Sequence, residues 1–477
     1  MEPITLAAFA DAAGGRLVRA ADQGAVVGPD VLIDSRQVTP GSVFVAFAGE
    51  RVDGHDFVAN AADAGAGVAL VAREVDADLP QVIVEDPVAG LSRLARSCVD
   101  AGRGRGLVVV GVTGSSGKTS TKDLIAQVLG AAGPTVAPPG SFNNEIGAPL
   151  TACRVDAGTR FLVSEMGARG IGHVRHLTQI TPPTIGAVLN VGQAHVGEFG
   201  SVDGIAQAKG ELVEALDADG WAVLNGDDAR VIAMASRTRA RVAAFSAAGD
   251  PAATGADLRV WASDVHGDDL QRFTFTLNAA PGDVRERVSL RVLGRHNVDN
   301  ALAAAAVGLA AGLAPDAVAA ALSSARSLSR WRMELDTRAD GLAILNDAYN
   351  ANPDSMAAAL RSLAGMRRPG GRIVAALGDM LELGDSTEQA HHEVGRLAAQ
   401  LGVDDVLVLG AFGNHTVSGV AAAGGRGQYL EDKDQLIEAL RAILGPNDVV
   451  LVKASRGLAL ETVAAALAAH DEGESHP

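Results

Sequence analysis

The sequence predicts an α/β protein of three domains: a small α/β N-terminal domain (residues 1–101), a central P-loop-type domain with a mostly parallel sheet (107–325), and a C-terminal Rossmann-like domain (328–477). Short apolar runs alternate with helical segments along the whole chain. A glycine-rich turn follows the apolar run at 107–110, and a Gly-Arg-Gly-Arg-Gly segment at 102–106 marks a change of composition. The 477 residues are enough for two or three domains, each with its own core.

The predicted elements follow the chain in this alternating order. In the N-terminal domain, strands are predicted at 43–48, 67–72 and 81–84, and helices at 56–64 and 87–100. In the central domain, strands are predicted at 107–110, 161–164, 185–190 and 221–225, antiparallel strands at 272–277 and 287–293, and helices at 202–216, 297–312 and 315–325. From residue 328, four strand–helix units are predicted at 343–363, 373–401, 405–444 and 449–469.

The composition excludes several functional classes. Hydrophobic residues make up 48% of the chain and the net charge is −17, so we expect no nucleic-acid binding. Two cysteines, Cys98 and Cys153, rule out a disulfide framework and are typical of a reducing cytoplasm. The chain begins without a basic leader and has no run of about 18 uninterrupted apolar residues. We therefore expect a cytoplasmic protein that does not associate with a membrane.

Residues 111–120, Gly-Val-Thr-Gly-Ser-Ser-Gly-Lys-Thr-Ser, form what is called the phosphate loop below. Between a strand and a helix, its backbone N–H groups would point at one position in front of the helix N-terminus. Lys118 would reach the outer phosphates of a nucleotide, and the Thr119 hydroxyl would bind Mg²⁺. The strict pattern has glycine where this chain has Val112, so the loop is not of the commonest GTPase or kinase type. A turn without a ligand is the alternative, which the flanking strand and helix disfavour.

Lysine is scarce in this chain, because 35 of its 40 basic residues are arginine. A lysine that remains is more often one that must act as an amine, either as a compact charge or as a group that can lose a proton. Lys118 fits the first role. Lys122 and Lys433 each stand beside aspartate, and we interpret them as ordinary surface charges. Lys209 and Lys453 need a specific explanation.

Polar residues follow the predicted strands of the central domain. Glu165 ends a strand of the same sheet as the phosphate loop, where a carboxylate could bind Mg²⁺ or be a solvated strand end. His195, surrounded by glycines on the next strand-end loop, could be a metal ligand or a structural histidine. Lys209 lies on a predicted helix, where a solvated charge is the common role. A neutral amine near Mg²⁺ could instead take up CO₂ and become an anionic carbamate, which arginine could not do.

The remaining candidates lie near residue 297 and in the C-terminal domain. Asn297 could be a helix N-cap or could face an adenine edge. The run from Asp347 to Ser355 is rich in turn formers and partly reflects the start of a helix. Gly-Asp-Met-Leu-Glu-Leu-Gly at 378–384 also follows a predicted strand. Lys453 and Arg456 follow the last strand, where two cations could hold an anionic substrate or transition state.

Taken in order and spacing, these motifs resemble the Mur ligase family of ATP-dependent amide-bond ligases. The resemblance is carried by Gly-x-Thr-Gly-x-x-Gly-Lys-Thr from Gly111, Glu-Met-Gly from Glu165, Asn-Val-Gly-x-Ala-His from Asn190, Lys209, and Gly-x-His-Asn-x-x-Asn from Gly294. Three further runs are similar to those of members that join D-alanyl-D-alanine to UDP-N-acetylmuramoyl-tripeptide. They are Asp-x-Tyr-Asn-Ala-Asn-Pro from Asp347, the 378–384 run, and Gly-Ser-Phe-Asn-Asn-Glu-Ile-Gly from Gly140.

The resemblance implies a monomer that uses ATP and Mg²⁺ and makes its product through an acyl phosphate, in the last cytoplasmic step of peptidoglycan precursor synthesis. It implies that the N-terminal domain and the 140–147 run hold the UDP-sugar through Asp34, Ser35, Arg36, Gly54, His55, Asn143 and Asn144. It implies ATP contacts from Gly114, Ser115, Ser116, Gly117, Lys118, Thr119 and Ser120, from Asn297 to adenine, Asp347 to ribose and Arg332 to phosphate. Thr119 and Glu165 would hold one Mg²⁺, and His195 with carbamylated Lys209 the second. Lys118, Lys453 and Arg456 would stabilise the charge that develops during the reaction.

Two alternatives stay open. One is another ligase of the same superfamily, of the folylpolyglutamate type or adding the third peptide residue. The latter shares the Asp-Ser-Arg run from Asp34 and the Asp-Gly-His run from Asp53, but it normally has Asp-Tyr-Ala-His-x-Pro where this chain has the run from Asp347. The other is a nucleotide-dependent switch without ligase activity, which would need neither a second metal nor a second Rossmann-like domain.

Overall fold

Three sheets of mainly parallel strands, each covered by helices, organise the chain. The computed structural model describes residues 1–49, 52–192 and 199–469. These three larger sheets follow one another along the sequence, at 16–83, 108–293 and 334–453. This arrangement confirms the predicted three-part α/β fold. The domain boundaries at 101–107 and 325–328 stay predictions.

The N-terminal sheet has five strands, all parallel except the first. Their order is Arg16–Val18, Gln81–Ile83, Val68–Val71, Val43–Val45 and Val31–Leu32. A separate antiparallel pair joins Ile4–Thr5 to Val26–Val27, and the helices are Leu6–Ala13, Val58–Asp63 and Pro87–Arg103. The last helix extends into the predicted 102–106 linker. Gly102 permits this, because a Cβ there would lie only 2.7 Å from Leu107 and 3.2 Å from Val155.

The central sheet has nine strands, and the phosphate loop follows one of its inner strands. Their order is Val284–Leu293, Arg272–Ala280, Leu258–Gly267, Arg241–Ser246, Trp221–Asn225, Ile185–Val188, Val108–Thr113, Phe161–Glu165 and Thr135–Val136. The first three strands pair antiparallel and the rest parallel, which confirms the predicted antiparallel addition. The helices are Lys118–Gly130, Gly147–Ala152, His173–Ile180, Val202–Glu214, Ala229–Ile232, His296–Ala310 and Pro315–Ser324.

The C-terminal sheet has six strands and one more strand–helix unit than the sequence predicted. Their order is Glu334–Thr337, Ala343–Asn346, Val449–Lys453, Ile373–Leu377, Asp405–Leu409 and Gly427–Leu430, parallel except for the first. The helices are Pro353–Gly365, Thr387–Gln400, Gly413–Ala422, Lys433–Ile443 and Glu461–Ala468. The missed helix and strand lie at 413–422 and 427–430. Glycines interrupt the apolar pattern there, and three of the four strand residues are exposed.

The alanine-rich helix His296–Ala310 packs inside the central domain, against the helix that follows the phosphate loop. Its buried side chains include five alanines, whose small size lets the two helices approach closely. This packing holds the start of one helix beside the start of the other. No helix in the described part of the chain is both long and apolar enough to cross a membrane. Cys98 and Cys153 are both free thiols.

Candidate active site

A cavity of about 720 Å³ lies where the phosphate loop faces the C-terminal sheet, and it is called the central cavity below. The central domain contributes the phosphate loop, Glu165 and Lys209 to its lining. The C-terminal part of the chain contributes Arg332, Asp347 and Lys453, among others. The two sides touch directly, since Ser141 Oγ lies 2.8 Å from Tyr349 Oη. The cavity is therefore built from two domains.

The phosphate loop is held in place by Asn190, which follows the neighbouring strand. The backbone N–H of Ser116 donates to Asn190 Oδ1 at 2.9 Å, and the amide of Asn190 donates back to the carbonyl of Ser116 at 3.2 Å. Gly117 has a φ of 77°, and a Cβ there would lie 2.8 Å from Asn300 Oδ1. The helix starts directly after it, at Lys118. The local sequence thus produces the loop that the motif predicted, with a helix N-terminus behind it.

Lys118 lies within this loop and is desolvated by it. Its Nζ donates to the carbonyl of Gly114 at 2.7 Å. Burial lowers the pKa of the Lys118 ammonium, while the nearby charge of Glu165 favours protonation. The same amine is thus close to both the loop backbone and the carboxylate at the next strand end.

Glu165 and Arg332 both contact Thr119, and each has a buried polar atom without a partner among the described residues. Glu165 Oε1 accepts from the Asn143 amide at 2.8 Å and from the Thr119 hydroxyl at 3.3 Å. Among the described residues, nothing donates to its buried Oε2. Arg332 donates from Nη2 to Thr119 Oγ1 at 3.0 Å, but its buried Nε has no acceptor in the described part of the chain. A buried acceptor and donor without partners fit a divalent cation and a phosphate.

Lys209 projects from the Val202–Glu214 helix into the same cavity. Only 4% of it is exposed, and burial holds the pKa of its amine well below the ordinary value, with the charge of Lys118 as a second cause. None of the salt bridges between described residues includes it. An amine in this setting favours its neutral form, which is the form that reacts with CO₂. His195, predicted to share a metal with Lys209, lies outside the described residues.

The C-terminal wall of the cavity is a charged pair on neighbouring strand ends. Lys453 Nζ lies 2.6 Å from Asp347 Oδ2 and donates to the carbonyl of Asn350 at 2.9 Å. The other Asp347 oxygen accepts from the backbone N–H of Met333 at 3.1 Å. Nearby, Asn352 and Ser355 form a capping box at the start of the Pro353–Gly365 helix. The turn-rich run from Asp347 therefore does include the predicted helix start.

Asn297 is not an N-cap, because the helix already begins at His296. Its amide donates to the carbonyl of Leu293 at 2.6 Å, and its oxygen accepts from the Asn300 amide at 2.8 Å. Both asparagines line the central cavity. His296 lies there too, with a buried Nδ1 that has no partner among the described residues. The alternative in which Asn297 faces a base stays a prediction.

The structure brings most of the sequence-predicted site residues together. The central cavity is lined by Ser115, Ser116, Gly117, Lys118, Thr119, Ser120, Asn143, Asn144, Glu165, Lys209, Asn297, Arg332, Asp347 and Lys453. Gly114 belongs to the phosphate loop beside them. Asn143 and Asn144 thus lie with the predicted nucleotide residues, whereas the other residues assigned to the UDP-sugar lie in the N-terminal domain.

The residues predicted to bind the UDP-sugar in the N-terminal domain have local partners there. Asp34 caps the 35–37 turn and pairs with Arg36 at 2.8 Å. His55 is buried, and both of its ring nitrogens are used: Nδ1 contacts Asp53 at 2.6 Å and Nε2 accepts from the backbone of Ala72 at 2.9 Å. Both ring nitrogens of His55 are therefore used within the domain, and its contact with the UDP-sugar stays a prediction.

Two further side chains differ from what the sequence suggested. Arg456 is outside the lining of the central cavity, where it pairs with Glu461 and covers the ring of Trp331 at 4.4 Å. Lys122 is not a surface charge, and that interpretation was wrong. It is 2% exposed, pairs with Asp123, and donates to the carbonyl of Pro138 at 2.9 Å. The adjacent aspartate, which we interpreted as a sign of a surface position, is instead the partner of a buried lysine.

Several cavity residues were not singled out from the sequence. Tyr349 stacks under the Arg332 guanidinium, 4.4 Å from it, and Asn190 supports the phosphate loop. Both belong to motifs that were recognised as patterns, so the signal was present without a role for the individual side chain. Arg169, His173 and His176 also line the cavity. They lie on and before a short helix, and nothing in their spacing distinguished them.

Comparison with known protein families covers most of the chain. Residues 30–97 match the model of the Mur ligase family, catalytic domain. Residues 112–308 match the Mur ligase middle domain, and residues 331–456 match the Mur ligase, glutamate ligase domain. The three matches lie over the three sheets of the structure.

Similar proteins are found at full length. The chain is 43% identical to UDP-N-acetylmuramoyl-tripeptide--D-alanyl-D-alanine ligase of Mycobacterium bovis, with 99% of each chain covered. It is 38% identical to the Escherichia coli protein of the same name, over 98% of this chain and 99% of that one. Among solved structures, MurF from Acinetobacter baumannii superposes with a TM-score of 0.86 at 31% identity, over 98% and 99% of the two chains. MurF from Thermotoga maritima, in complex with ADP, gives 0.76 at 29% identity, over 92% and 97%.

Proposed function

The chain belongs to the Mur ligase family, and we propose that it is the ATP-dependent ligase that joins D-alanyl-D-alanine to UDP-N-acetylmuramoyl-tripeptide. The observation that carries the proposal is the central cavity. It gathers a phosphate loop, a carboxylate with a buried oxygen that lacks a partner, a buried lysine and a second domain's charged pair around one volume. Relatives that match over nearly the whole chain carry this activity in their names.

The first step activates the tripeptide. Its terminal carboxylate attacks the γ-phosphorus of ATP, so that an acyl phosphate forms and ADP leaves. Negative charge gathers on the phosphate oxygens during this transfer. Lys118 and Arg332 would stabilise that charge, because both cations lie beside the phosphate loop in a partly desolvated site where electrostatic interactions are strong.

Magnesium fits the residues beside the loop. Thr119 and Glu165 supply a hydroxyl and a carboxylate, and the partnerless Glu165 Oε2 is the kind of hard oxygen that Mg²⁺ binds. We propose that these two residues hold one ion, and that His195 and the carbamate of Lys209 hold another. Bound Mg²⁺ would neutralise charge on the phosphate oxygens during transfer. The buried, neutral-leaning amine of Lys209 supports the carbamate.

The second step makes the amide bond. The amine of the dipeptide attacks the acyl carbon, the carbon–oxygen bond to phosphate breaks, and inorganic phosphate leaves. Lys453 lies in the cavity wall, where it could stabilise the departing phosphate once it is released from Asp347. An acyl phosphate hydrolyses readily, so water must be kept out. The contact between Ser141 and Tyr349 across the cavity is of the kind that closes such a site.

The acceptor would reach the cavity from the N-terminal domain. We propose that this domain holds the UDP end of the acceptor near the 35–37 turn, with His55 supporting the fold there.

A phosphate-release assay over a small matrix of acceptors and amines tests the proposal. We expect release only when ATP, a UDP-N-acetylmuramoyl-tripeptide and D-alanyl-D-alanine are all present. A ligase for the third peptide residue would accept the dipeptide acceptor with a free amino acid instead. Nucleotide turnover without either small substrate would contradict the proposal and favour a switch.

A further inference from the structure

We propose that Glu382 binds the ammonium group of the incoming dipeptide and accepts a proton from it before the amide bond forms. The inference rests on the proposed function, since it assigns the amine side of that reaction. It is drawn from the loop at 378–383, called the amine loop below, whose sequence pattern no step above has used. Glu382 belongs to this loop and lines the central cavity.

The amine loop begins beside a residue already in the site. It follows the strand Ile373–Leu377, and Leu377 is paired in register with Lys453 on the adjacent parallel strand. Asp347 follows the next strand over and pairs with Lys453. Three neighbouring strands therefore end at the same edge of the sheet. Asp347 follows the first strand, Lys453 ends the second, and the amine loop follows the third. The crevice outside the carboxyl ends of parallel strands is where such sheets bind ligands.

The residues before Glu382 are fixed one after another. The Asp379 carboxylate accepts from the backbone N–H groups of Ala411 and Phe412, at 2.8 and 3.0 Å. The N–H of Met380 donates to Nε2 of buried His391 at 2.9 Å. The N–H of Leu381 donates to Ser455 Oγ at 3.0 Å. Every one of these partners lies in another part of the C-terminal domain, so the path of the loop is set by that domain.

His391 holds a defined tautomer in this arrangement. Its Nδ1 is 2.7 Å from the carbonyl of Thr387 and must carry the proton, which leaves Nε2 free to accept from Met380. Burial lowers the pKa of His391, consistent with a neutral ring. The histidine is therefore a positioning residue for the loop.

The backbone of Glu382 is held in a strained conformation by the contacts of the residues around it. Its φ is 65°, in the left-handed region, although it is not a glycine. Leu383, directly after it, is buried in the core of the C-terminal domain. With the residues before it fixed and the residue after it buried, Glu382 is turned outward at the cavity. Strain of this kind persists where the surroundings determine it, and it is concentrated at functional sites.

The chemistry of the second substrate requires such a group. An α-amino group is mostly an ammonium at neutral pH, so it must be bound as a cation and must lose a proton before it attacks. As the nitrogen–carbon bond forms, phosphate leaves with the electron pair of the broken carbon–oxygen bond. The proton lost before the attack passes to the Glu382 carboxylate and then to solvent. The second proton, released as the nitrogen–carbon bond forms, goes to the departing phosphate.

Comparing hydroxylamine with D-alanyl-D-alanine as the attacking nucleophile separates ammonium binding by Glu382 from formation of the acyl phosphate. Hydroxylamine is uncharged at neutral pH and traps an acyl phosphate as a hydroxamate without needing an ammonium site. In the Glu382→Gln variant, we expect the KM for D-alanyl-D-alanine to rise by about tenfold or more, as for the loss of a charge-assisted contact. Hydroxamate formation from ATP and acceptor, and the KM for ATP, should stay at the wild-type values.

The control is Glu388→Gln, which removes an exposed carboxylate from the Thr387–Gln400 helix of the same domain. We expect it to behave as wild type in both assays. Glu382→Asp should recover part of the dipeptide affinity, and thermal unfolding of each variant shows that it is folded. Loss of hydroxamate formation in Glu382→Gln, or a dipeptide KM equal to that of wild type, would overturn the inference. If the wild-type protein itself formed no hydroxamate and no dipeptide-dependent phosphate, the proposed function would be the part that failed.

Discussion

Replacing Lys209 tests whether an amine is needed at this position or only a bulky side chain. Three variants divide the possibilities. Lys209→Met keeps the apolar length and removes the nitrogen, Lys209→Arg keeps a positive charge that cannot react with CO₂, and Lys209→Ala opens space. If the carbamate holds Mg²⁺, we expect all three to be nearly inactive.

The stability of the variants follows from the burial of the side chain. Lys209 is 4% exposed, so its methylenes contribute about 3 kcal/mol at about 0.8 kcal/mol each. The alanine variant keeps only Cβ and loses about 2.4 kcal/mol of that contribution, at about 0.8 kcal/mol for each of three methylenes. Methionine keeps most of it and should change the free energy of unfolding by less than about 1.5 kcal/mol. Arginine brings an unpaired buried charge and should be the least stable. The methionine variant is therefore the informative one, since it separates lost chemistry from lost folding.

The pH dependence of stability gives a second check on the buried amine. Its pKa in the folded protein lies well below that in the unfolded chain. Between these two pKa values, the unfolded chain binds more protons, so the free energy of unfolding rises with pH across that window. Lys209→Met should lack this part of the slope, while its stability at lower pH should match or exceed that of the wild type.

Activity is measured as phosphate release, and the carbamate is measured directly. We expect a loss of about a hundredfold or more for each variant, as for removal of a group that supports a metal site. The wild-type protein in ¹³C-bicarbonate should show a carbamate signal by NMR that Lys209→Met lacks. A short carboxylate should partly restore Lys209→Ala and not Lys209→Arg. Near-normal activity of Lys209→Arg without additive would refute the reasoning and leave Lys209 as a buried structural residue.

Three further results are expected. Lys118→Ala should lose about a hundredfold or more in turnover while remaining folded, because a preorganised cation is lost from the transition state; a variant that kept more than a tenth of wild-type phosphate release would contradict this. Small-angle scattering should give a smaller radius of gyration with nucleotide and acceptor than without them, and an unchanged radius would argue against domain closure. Asp53 has a pKa lowered to about 2, first by the backbone N–H of His55 and then by its ring. Its stabilisation is present above the unfolded value of 3.8 and is lost as pH falls through about 2, so Asp53→Asn should flatten the fall of Tm across that window.

Local signals explain which parts of the fold could be predicted. The phosphate loop joins a buried strand, a left-handed glycine and a helix start within ten residues, so all of its determinants are adjacent in sequence. The helix Gly413–Ala422 was missed because its packing face is made of close backbone contacts. A Cβ on Gly419 would lie 1.9 Å from the carbonyl of His392 on the neighbouring helix. Such a contact depends on a helix elsewhere in the sequence. A face made of glycines therefore lacks the periodic hydrophobic residues from which a helix is predicted.

In the candidate site too, roles set by the local sequence were predictable and roles set by distant partners were not. Glu165 was found because a carboxylate at a strand end has a predictable position in a parallel sheet. The role of His55 was not predictable in this way, because the partner of its Nε2 is the backbone of Ala72, seventeen residues later in the sequence. A family motif marks such a histidine as important, but it does not distinguish a ligand contact from a support. The hydrogen bonds of both ring nitrogens favour a supporting role for His55.

The lysines show how a feature of the composition predicts burial in the structure. Of the five in the chain, Lys122, Lys209 and Lys453 are at most 4% exposed, and Lys118 lies in the phosphate loop. A composition that uses arginine for most positive charges retains lysine where a narrow, desolvated amine is required, because guanidinium is wider and cannot lose its proton under these conditions. Two of these amines are neutralised by an adjacent carboxylate, and Lys118 has Glu165 nearby. Lys209 has no such carboxylate among the described residues, and burial lowers the pKa of its amine instead. The proposed reaction of the neutral amine with CO₂ would supply the anion that two cations need.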